Sequence, residues 1–358
     1  MEEQLLLPES GMRKMPRIPA TKICLIRMSS LGDIVHALAM VNGLRKGYPE
    51  AHLTWILDAV PYEMVKHQPN VDRFIVFRRK DGLSFWRKLA RELKTEHFDL
   101  VLMPQVSFRA SLISVFVRAD IKLGFDIRRS RELHWLFTNR KLLPRSPQHV
   151  QDQFFEFLDY LEIKDYPKKW GFVFTDEELK WRQTFFQQTD RPVISFVISS
   201  SNSQKNWNAS GYAQVIDHVI EVLQMQSMII GGPSQREQSM AKEILRYCKS
   251  DPIVALEKPI RRTLLQLSGS VLVVSPDTGP LHAAVAMNIP TVGLYGFSNP
   301  RRCGPYRRFH DLLINKYADP GEENSRIRRK TRPDRMERIT PYEVIEKIEL
   351  GLRRYTKM

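Results

Sequence analysis

The sequence predicts two doubly wound α/β domains in tandem, each a parallel sheet with helices on both faces, and three observations predict it. Short apolar runs rich in Val and Ile alternate with stretches of helical period along most of the chain, the pattern of strands joined through crossover helices. The alternation halts at the polar, proline-broken stretch Lys164-Asp165-Tyr166-Pro167-Lys168-Lys169-Trp170 and starts afresh beyond it. A chain of 358 residues exceeds one ordinary core and suits two of common size. The expected division is a loose leader over 1–20, a first domain over 21–163, a linker and connecting helix over 164–190, a second domain over 191–325, and a basic segment with a C-terminal helix over 326–358.

The elements follow in order. Residues 1–20 carry Pro8, Gly11, Pro16 and Pro19 without periodicity. Thr21 to Arg27 is a β-branched apolar run, then comes the turn Met28-Ser29-Ser30-Leu31-Gly32-Asp33, then a helical pattern through Lys46. Strands are predicted at Leu53 to Leu57, Arg73 to Phe77, Asp99 to Met103 and Ile121 to Gly124, with helices at Ser84 to Lys94, after Val106 as far as Val117, and at Gln148 to Leu161. In the second half, strands are predicted at Val193 to Ile198, Ser227 to Ile230, Ile253 to Ala255, Val271 to Ser275 and Thr291 to Leu294. Helices are predicted at Ser210 to Gln224, Gln235 to Lys249, Arg261 to Leu267 and Gly279 to Met287. Thr340 and Pro341 suit the N-cap and first turn of a last helix reaching about Arg354.

Composition narrows the function. With 42% hydrophobic residues the chain is globular, and its apolar runs fall far short of the roughly 18 residues that span a bilayer. The start, Met-Glu-Glu, shows no secretory signal, so a cytoplasmic protein is expected. Cys24, Cys248 and Cys303 lack the spacing of a metal or disulfide framework and read as small core or turn residues. A net charge of +15 calls for an anionic partner: nucleic acid, an anionic membrane face or a phosphorylated substrate. Arg326, Arg328, Arg329, Lys330, Arg332 and Arg335 crowd one short span, which reads equally well as a solvated loop.

The chemistry is expected where parallel strands end. Pro276-Asp277-Thr278-Gly279-Pro280-Leu281-His282 is a tight turn into a helix; Asp277 or Thr278 can cap it, and Gly279 permits close approach of an oxygen to the backbone. Such a helix start attracts phosphate. Asp33 falls in the first turn of the first helix, where a carboxylate either caps or takes a proton from a substrate hydroxyl. His36, one turn on, fits a core position better than a catalytic one. Ser199 to Trp207 is the matching turn of the second half, and Lys205 in it can pair a phosphate as a point charge. The turn Gly231-Gly232-Pro233-Ser234 leads into a helix carrying Glu237. Asn299 to Tyr306 is a turn-rich loop after the last strand of that half. Asp-x-Asp is absent, as is any His or Cys cluster with ligand spacing, which disfavours a metal-dependent sugar transfer.

These motifs, in this order, resemble one family. SSLGD at Ser29 to Asp33, S-x-K-x-W at Ser203 to Trp207, GGP at Gly231 to Pro233, PDTGPLH at Pro276 to His282 and N-P-x-R-x-G-P-Y at Asn299 to Tyr306 are similar to the ADP-heptose:lipopolysaccharide heptosyltransferases of glycosyltransferase family 9. Leu123 to Asp126, Thr138-Asn139 and the tail from Thr331 to Thr340 look most like the heptosyltransferase I branch.

The resemblance implies a GT-B fold with the active site in the cleft between an acceptor-binding first domain and an ADP-sugar-binding second one. It implies a metal-independent inverting transfer without a cofactor, from ADP-L-glycero-D-manno-heptose to the Kdo of Kdo-lipid A, with or without a phosphate on that Kdo. By the same resemblance Asp33 is the general base, Lys205 lies near the diphosphate, and Asp277, Thr278, Gly279 and His282 form the sugar-nucleotide turn. A ribose-binding glutamate follows the GGP turn, where the spacing leaves Gln235 and Glu237 both open. Arg109, Arg128 and Arg129 in the acceptor half could hold Kdo and phosphate oxygens. The resemblance also implies a monomer working peripherally at the anionic cytoplasmic face of a Gram-negative inner membrane. The alternatives are a family member adding a later core heptose and, on charge alone, a nucleic-acid binder without enzymatic activity. No nucleic acid is expected as a partner, because no aromatic RNA-binding motif or helix-turn-helix signature is present.

Overall fold

The computed structural model describes residues 18–78, 81–322 and 325–356. Most of the expected leader lies outside the described residues. The first half runs β1 (Lys22–Ile26), α1 (Leu31–Gly47), β2 (His52–Asp58), α2 (Ala59–Val65), β3 (Arg73–Phe77), α3 (Gly82–Leu93), β4 (Phe98–Met103), α4 (Phe108–Val115), β5 (Ala119–Gly124), β6 (Arg140–Lys141) and α5 (Val150–Tyr160). After α6 (Asp176–Phe186) the second half runs β7 (Val193–Val197), α7 (Ala209–Glu221), β8 (Gln226–Gly231), α8 (Gln235–Tyr247), β9 (Ile253–Leu256), α9 (Ile260–Ser268), β10 (Leu272–Pro276), α10 (Gly279–Ala286), β11 (Thr291–Tyr295), α11 (Pro300–Cys303), β12 (Leu313–Asn315) and α12 (Pro341–Tyr355).

Each half folds as a six-stranded parallel sheet, ordered β3-β2-β1-β4-β5-β6 and β12-β11-β10-β7-β8-β9. The order reverses between β1 and β4 in one and between β7 and β10 in the other, so each sheet opens a crevice at the carboxyl ends of those strands. Central strands are apolar on both faces because helices cover both: β7 and β10 are buried along their whole length. Together the sheets make the two-domain GT-B arrangement. The elements that the sequence pattern passed over are short. α2 spans seven residues with Pro61 in its first turn, where a proline is tolerated, and β6 and β12 are edge strands of two and three residues.

The domains share an apolar core. One buried cluster runs from Leu38, Phe154 and Trp170 to Ala283, Ala284 and Tyr306 of the second domain. The stretch expected as a linker is strapped to the first domain, where Asn42 Nδ2 donates to the carbonyls of Lys169 (2.8 Å) and Trp170 (2.9 Å). Trp207 is buried in the second domain, and its indole donates to the Ile339 carbonyl at 3.0 Å, tying down the segment that leads into α12. The three cysteines are free, Cys24 and Cys303 buried and Cys248 half-buried.

Arg261, buried on α9, knots three segments. It pairs with Glu178 of α6 and donates to the carbonyls of Met64 (3.2 Å) and Val173 (2.7 Å). The hydrogen bond from Arg261 is the main reason the Glu178 carboxyl is lowered to about 2. Arg261→Ala leaves a carboxylate and two carbonyls without their donor and is expected to cost about 3 kcal/mol in denaturant unfolding. An unchanged midpoint would remove this knot from the stability of the domain junction.

Candidate active site

β1 delivers the chain to a turn held from outside. Gln105 Oε1, just past β4, accepts from Met28 N at 2.7 Å, and the Trp55 indole donates to the Arg27 carbonyl at 3.0 Å. Ser30 then caps α1, which places Asp33 in its first turn. Asp33 Oδ2 accepts from Ser30 N (3.2 Å) and Ser30 Oγ (2.9 Å) and pairs with the buried Arg27 guanidinium. All of these contacts fall on Oδ2, so Oδ1 is left for a further donor. Burial works to raise the Asp33 pKa, but the charge of Arg27 and the Ser30 donors outweigh it and hold the carboxyl below its ordinary value. Asp33 is therefore ionised at neutral pH, capping its helix through one oxygen and presenting the other.

Across the cleft, β10 ends in the turn to α10. Thr278 caps that helix, its Oγ1 accepting from Leu281 N at 3.3 Å. Asp277 faces Lys205, whose Nζ lies 2.7 Å from Asp277 Oδ2, while Oδ1 lies 3.4 Å from His282 Nε2. Burial pushes the Asp277 carboxyl up, but His282 and Lys205 more than reverse this, leaving it far below the carboxylate range. Both Asp277 oxygens are engaged, so its effect on a bound molecule passes through Lys205. Among the residues after the GGP turn, Glu237 Oε1 accepts from Gly232 N at 2.7 Å and Oε2 from Ser234 Oγ at 2.5 Å.

The two turns touch. A Cβ at Gly279 would lie 2.5 Å from Leu31 Cβ and 3.3 Å from Gly32 N, and one at Gly32 would lie 2.7 Å from His282 Cδ2. The bareness of Gly279 thus serves close approach of the first domain, a use that inspection of its own turn did not foresee. The N-termini of α1 and α10 meet at this contact, and their unpaired first-turn amides combine into one electropositive region.

A cavity of about 940 Å³ opens beside this contact. The first domain lines it with Ser30, Leu31, Gly32 and Glu63, and the second with Ser199 to Ser201, Lys205, the GGP turn, Glu237, Lys258 and the Asp277 to His282 turn. Gln235 is exposed and absent from that lining, so Glu237 is the residue that reaches the cavity. Glu257 and Lys258, missed from the sequence, directly follow β9; the strand-end rule applied to a fourth strand would have found them.

A second cavity of about 440 Å³ is lined by eight arginines: Arg128, Arg129, Arg131 and Arg145 of the first domain, and Arg302, Arg326, Arg328 and Arg329 of the second. No carboxylate lines it among the described residues. Arg329 is lowered to about 10, first by burial and then by the charges of Arg302 and Arg131, while the Asp33 charge acts in the opposite direction. Arg302 Nε is buried and unpartnered among the described residues. Of the expected acceptor residues, Arg128 is exposed on this cavity wall. Arg129 is engaged by Asp126, by Glu156 at 2.6 Å and by the Leu143 carbonyl at 3.0 Å, so it shapes the wall with few donors to spare. Arg109 pairs with Asp58 at 2.7 Å and reaches Ser29 Oγ at 3.5 Å, bracing the base of the Asp33 turn. The crowded arginine span divides: Arg326, Arg328 and Arg329 line the cavity, whereas Arg332 and Arg335 bind Asp319 at 3.2 and 2.6 Å.

Behind the cleft, His36, His149 and His282 stack edge to edge, with ring centroids 5.9 and 4.7 Å apart around His36. His36 Nδ1 contacts Gln151 Oε1 at 2.8 Å, and His149 Nε2 contacts the Gly304 carbonyl of the second domain at 3.0 Å. Burial lowers His149 to about 4 and, with the charges of His282 and His149, takes His36 well below the imidazole range. Both stay neutral in the fold, whereas the unfolded chain takes up protons near the ordinary histidine pKa of about 6.5. Their stabilisation is complete above that pH and is lost as pH falls from about 6.5 toward about 4. Thermal melts are expected to show Tm falling over that window, with His149→Gln flattening part of the slope; parallel slopes would contradict the neutral seam.

Comparison with known proteins agrees with this geometry. The model of Glycosyltransferase family 9 (heptosyltransferase) matches residues 86–327. The lipopolysaccharide core heptosyltransferase OpsX of Haemophilus influenzae is 33% identical over 306 residues, covering 84% of this chain and 86% of that protein. The crystal structure of a family 9 glycosyl transferase from Veillonella parvula superposes with a TM-score of 0.80 at 24% identity, over 93% of this chain and 97% of that one. Heptosyltransferase WaaC of Escherichia coli with ADP superposes with a TM-score of 0.70 at 20% identity, over 92% of this chain and 99% of that one. A cleft between two parallel-sheet domains, the motif order on its walls and the extent of these matches lead to one assignment: the chain belongs to glycosyltransferase family 9, the heptosyltransferases.

Proposed function

We propose that the protein transfers the heptose of ADP-L-glycero-D-manno-heptose to the Kdo of Kdo-lipid A, with or without a phosphate on that Kdo, in building the inner core of lipopolysaccharide. One observation carries the reading: the Asp33 turn lines the large cavity through Ser30 to Gly32, while Asp33 itself lies within electrostatic reach of Arg329 in the arginine-lined one. A base standing between a nucleotide-sized cavity and a cationic one suits a hydroxyl of an anionic acceptor attacking a nucleotide sugar. The solved WaaC relative holds ADP, and the OpsX relative is a lipopolysaccharide core enzyme, which supports donor and pathway. Under this reading the division into an acceptor half over 21–163 and a donor half over 191–325 acquires its meaning.

The chemistry is a single displacement. Asp33 Oδ1 takes the proton of the acceptor hydroxyl as its oxygen bonds to the anomeric carbon, on the face away from ADP. The bond from that carbon to the β-phosphate oxygen breaks, and its electron pair leaves with the diphosphate. The Lys205 ammonium, held by Asp277, and the first-turn amides of α10 stabilise the growing negative charge. Opposite-face attack inverts the anomeric centre. Under this reading Glu237, on the wall of the large cavity, accepts from ribose hydroxyls, and the arginine-lined cavity holds the Kdo carboxylate.

The test is transfer from ADP-heptose to Kdo-lipid A, with and without a Kdo phosphate, read by mass spectrometry. A heptosylated product that persists in excess EDTA is expected. Absence of product with either acceptor, but product with a heptosylated core, would move the protein to a later step; loss in EDTA restored by a divalent cation would overturn the metal-free mechanism.

A further inference from the structure

The arginine-lined cavity draws on the second domain as much as on the first, although the resemblance gives that domain to the donor alone. Its arginines arrive there by two routes. Arg302 sits in α11, on the loop after β11, and that loop is pressed onto the first domain at α5. His149 Nε2 contacts the Gly304 carbonyl at 3.0 Å, and the Tyr306 hydroxyl donates to Asp152 Oδ1. Arg326, Arg328 and Arg329 lie on a strap fixed at both ends. Arg301 donates to the Ser325 carbonyl at 2.6 Å; beyond the arginines, Tyr317 Oη donates to the Lys330 carbonyl at 2.9 Å and Arg332 N to the Phe297 carbonyl at 3.0 Å. Backbone anchors, and not charges of opposite sign, hold these cations at the cavity.

Of the eight guanidinium groups, Arg129 is engaged by Asp126 and Glu156, and Arg145 by Asp159 at 3.3 Å. The other six make no side-chain hydrogen bond or ion pair among the described residues. The strap's own continuation is different, since Arg332 and Arg335 both pair with Asp319. Arg302 sharpens the contrast: it is half-buried, and its Nε is shut off from solvent without a partner among the described residues. A buried donor left unpaired costs stability, and convergent like charges repel one another. An oxyanion entering between the two domains turns that repulsion into attraction, because guanidinium groups offer it paired donors in a planar fork.

The donor does not account for these cations. The large cavity, with Lys205 beside the Asp277 turn, shares no lining residue with the arginine-lined one. The arginines are tied to the Asp33 turn instead, since the Asp33 charge acts on Arg329. A molecule whose oxyanion sits among them stands next to the group that takes the hydroxyl proton.

Building on the sugar-transfer reading, we infer that Arg302 and Arg329 of the second domain grip the oxyanion of the acceptor jointly with Arg128 and Arg131 of the first. Both domains then recognise the acceptor, and the second sets its charge specificity as well as holding the donor.

Two measurements on the full chain test this. In the first, melting is followed in inorganic phosphate against chloride at equal ionic strength, without donor or acceptor, so the result is independent of the sugar-transfer reading. Wild-type Tm is expected to rise with phosphate. Arg302→Gln with Arg329→Gln should lose most of that rise, yet melt no lower than wild type in chloride, because two repelling charges are gone. Lys205→Gln should keep the rise. In the second, the double variant is expected to raise KM for Kdo-lipid A about tenfold to a hundredfold, the scale of losing hydrogen bonds to a charged group, with KM for ADP-heptose within a few fold. A rise confined to acceptor bearing a Kdo phosphate assigns the pair to that phosphate, and a rise with either acceptor assigns it to the carboxylate. If neither acceptor is heptosylated, the transfer reading fails and the melts alone decide whether these arginines form an anion site. No phosphate response in wild type, an equal response in the double variant, a response lost in Lys205→Gln instead, a lower Tm of the double variant in chloride, or a change confined to donor KM would overturn the assignment.

Discussion

Asp33→Ala is expected to lower kcat by between about a hundredfold and ten thousandfold, the span that a positioned general base supplies, while ADP binds within a few fold of wild type. The separation of effects follows from where the carboxylate sits. Its turn lines the large cavity through Ser30 and Gly32, but the carboxylate itself is not in that lining, so on the nucleotide side only Ser30, which it holds, depends on it. Removing it also strands the buried Arg27, and a poorly folded variant would lose rate for a trivial reason. Asp33→Asn settles this, because its amide oxygen can still accept from Ser30 yet takes no proton. Both variants should be inactive and the second should melt close to wild type. Because Arg27 and Ser30 hold the wild-type carboxyl below its ordinary pKa, its acid limb in kcat/KM should lie below that of an ordinary carboxylate, with a flat rate through neutrality as far as this group is concerned. Substantial turnover in either variant would take the base role from Asp33.

Lys205→Ala is expected to reduce kcat/KM for the donor by about a hundredfold to a thousandfold, the scale of deleting one preorganised donor aimed at developing negative charge. Part of the change should be structural. Asp277 is buried and loses its 2.7 Å cation, keeping His282 at 3.4 Å and the Cys303 thiol at 3.6 Å, so the variant should unfold more easily. Lys205→Ala combined with Asp277→Asn removes the stranded charge and should recover stability without recovering turnover. Recovered turnover would mean that Lys205 serves the fold and not the leaving group; unchanged donor kinetics in the single variant would mean the same.

The alternation of apolar runs with helical periods was enough to read both sheets, because strands such as β7 and β10 are buried on both faces and tolerate no polar interruption. What escaped was short or non-local. α2 is seven residues with a proline, and β12 is a three-residue edge strand, so neither carries a period long enough to see. The site divides the same way. Asp33, Lys205, Thr278 and Glu237 stand at strand ends and helix starts, positions that local sequence marks. Arg27 does not, because its partner is fixed by the α1 turn and its burial by Phe154 of another helix, with the guanidinium carbon 5.5 Å from that ring centre. The arginine-lined cavity was half visible: the charge run at 326–329 was plain, but its meeting with Arg128 and Arg131 depends on how two domains lie together.

The bare contact between Gly32 and Gly279 has a mechanical consequence. It pins the two turns of the proposed reaction centre to each other, bare backbone at Gly279 against Leu31 and at Gly32 against His282. Backbone packed against the facing turn leaves little give here, and the Arg261 bond to the Met64 carbonyl holds the rim where Val60 and Glu63 lie near Lys258, so the Asp33 and Thr278 turns keep one separation. Under the proposed transfer, the span across which the proton and the glycosyl bond are exchanged is then set by the fold and not by the molecules bound in it.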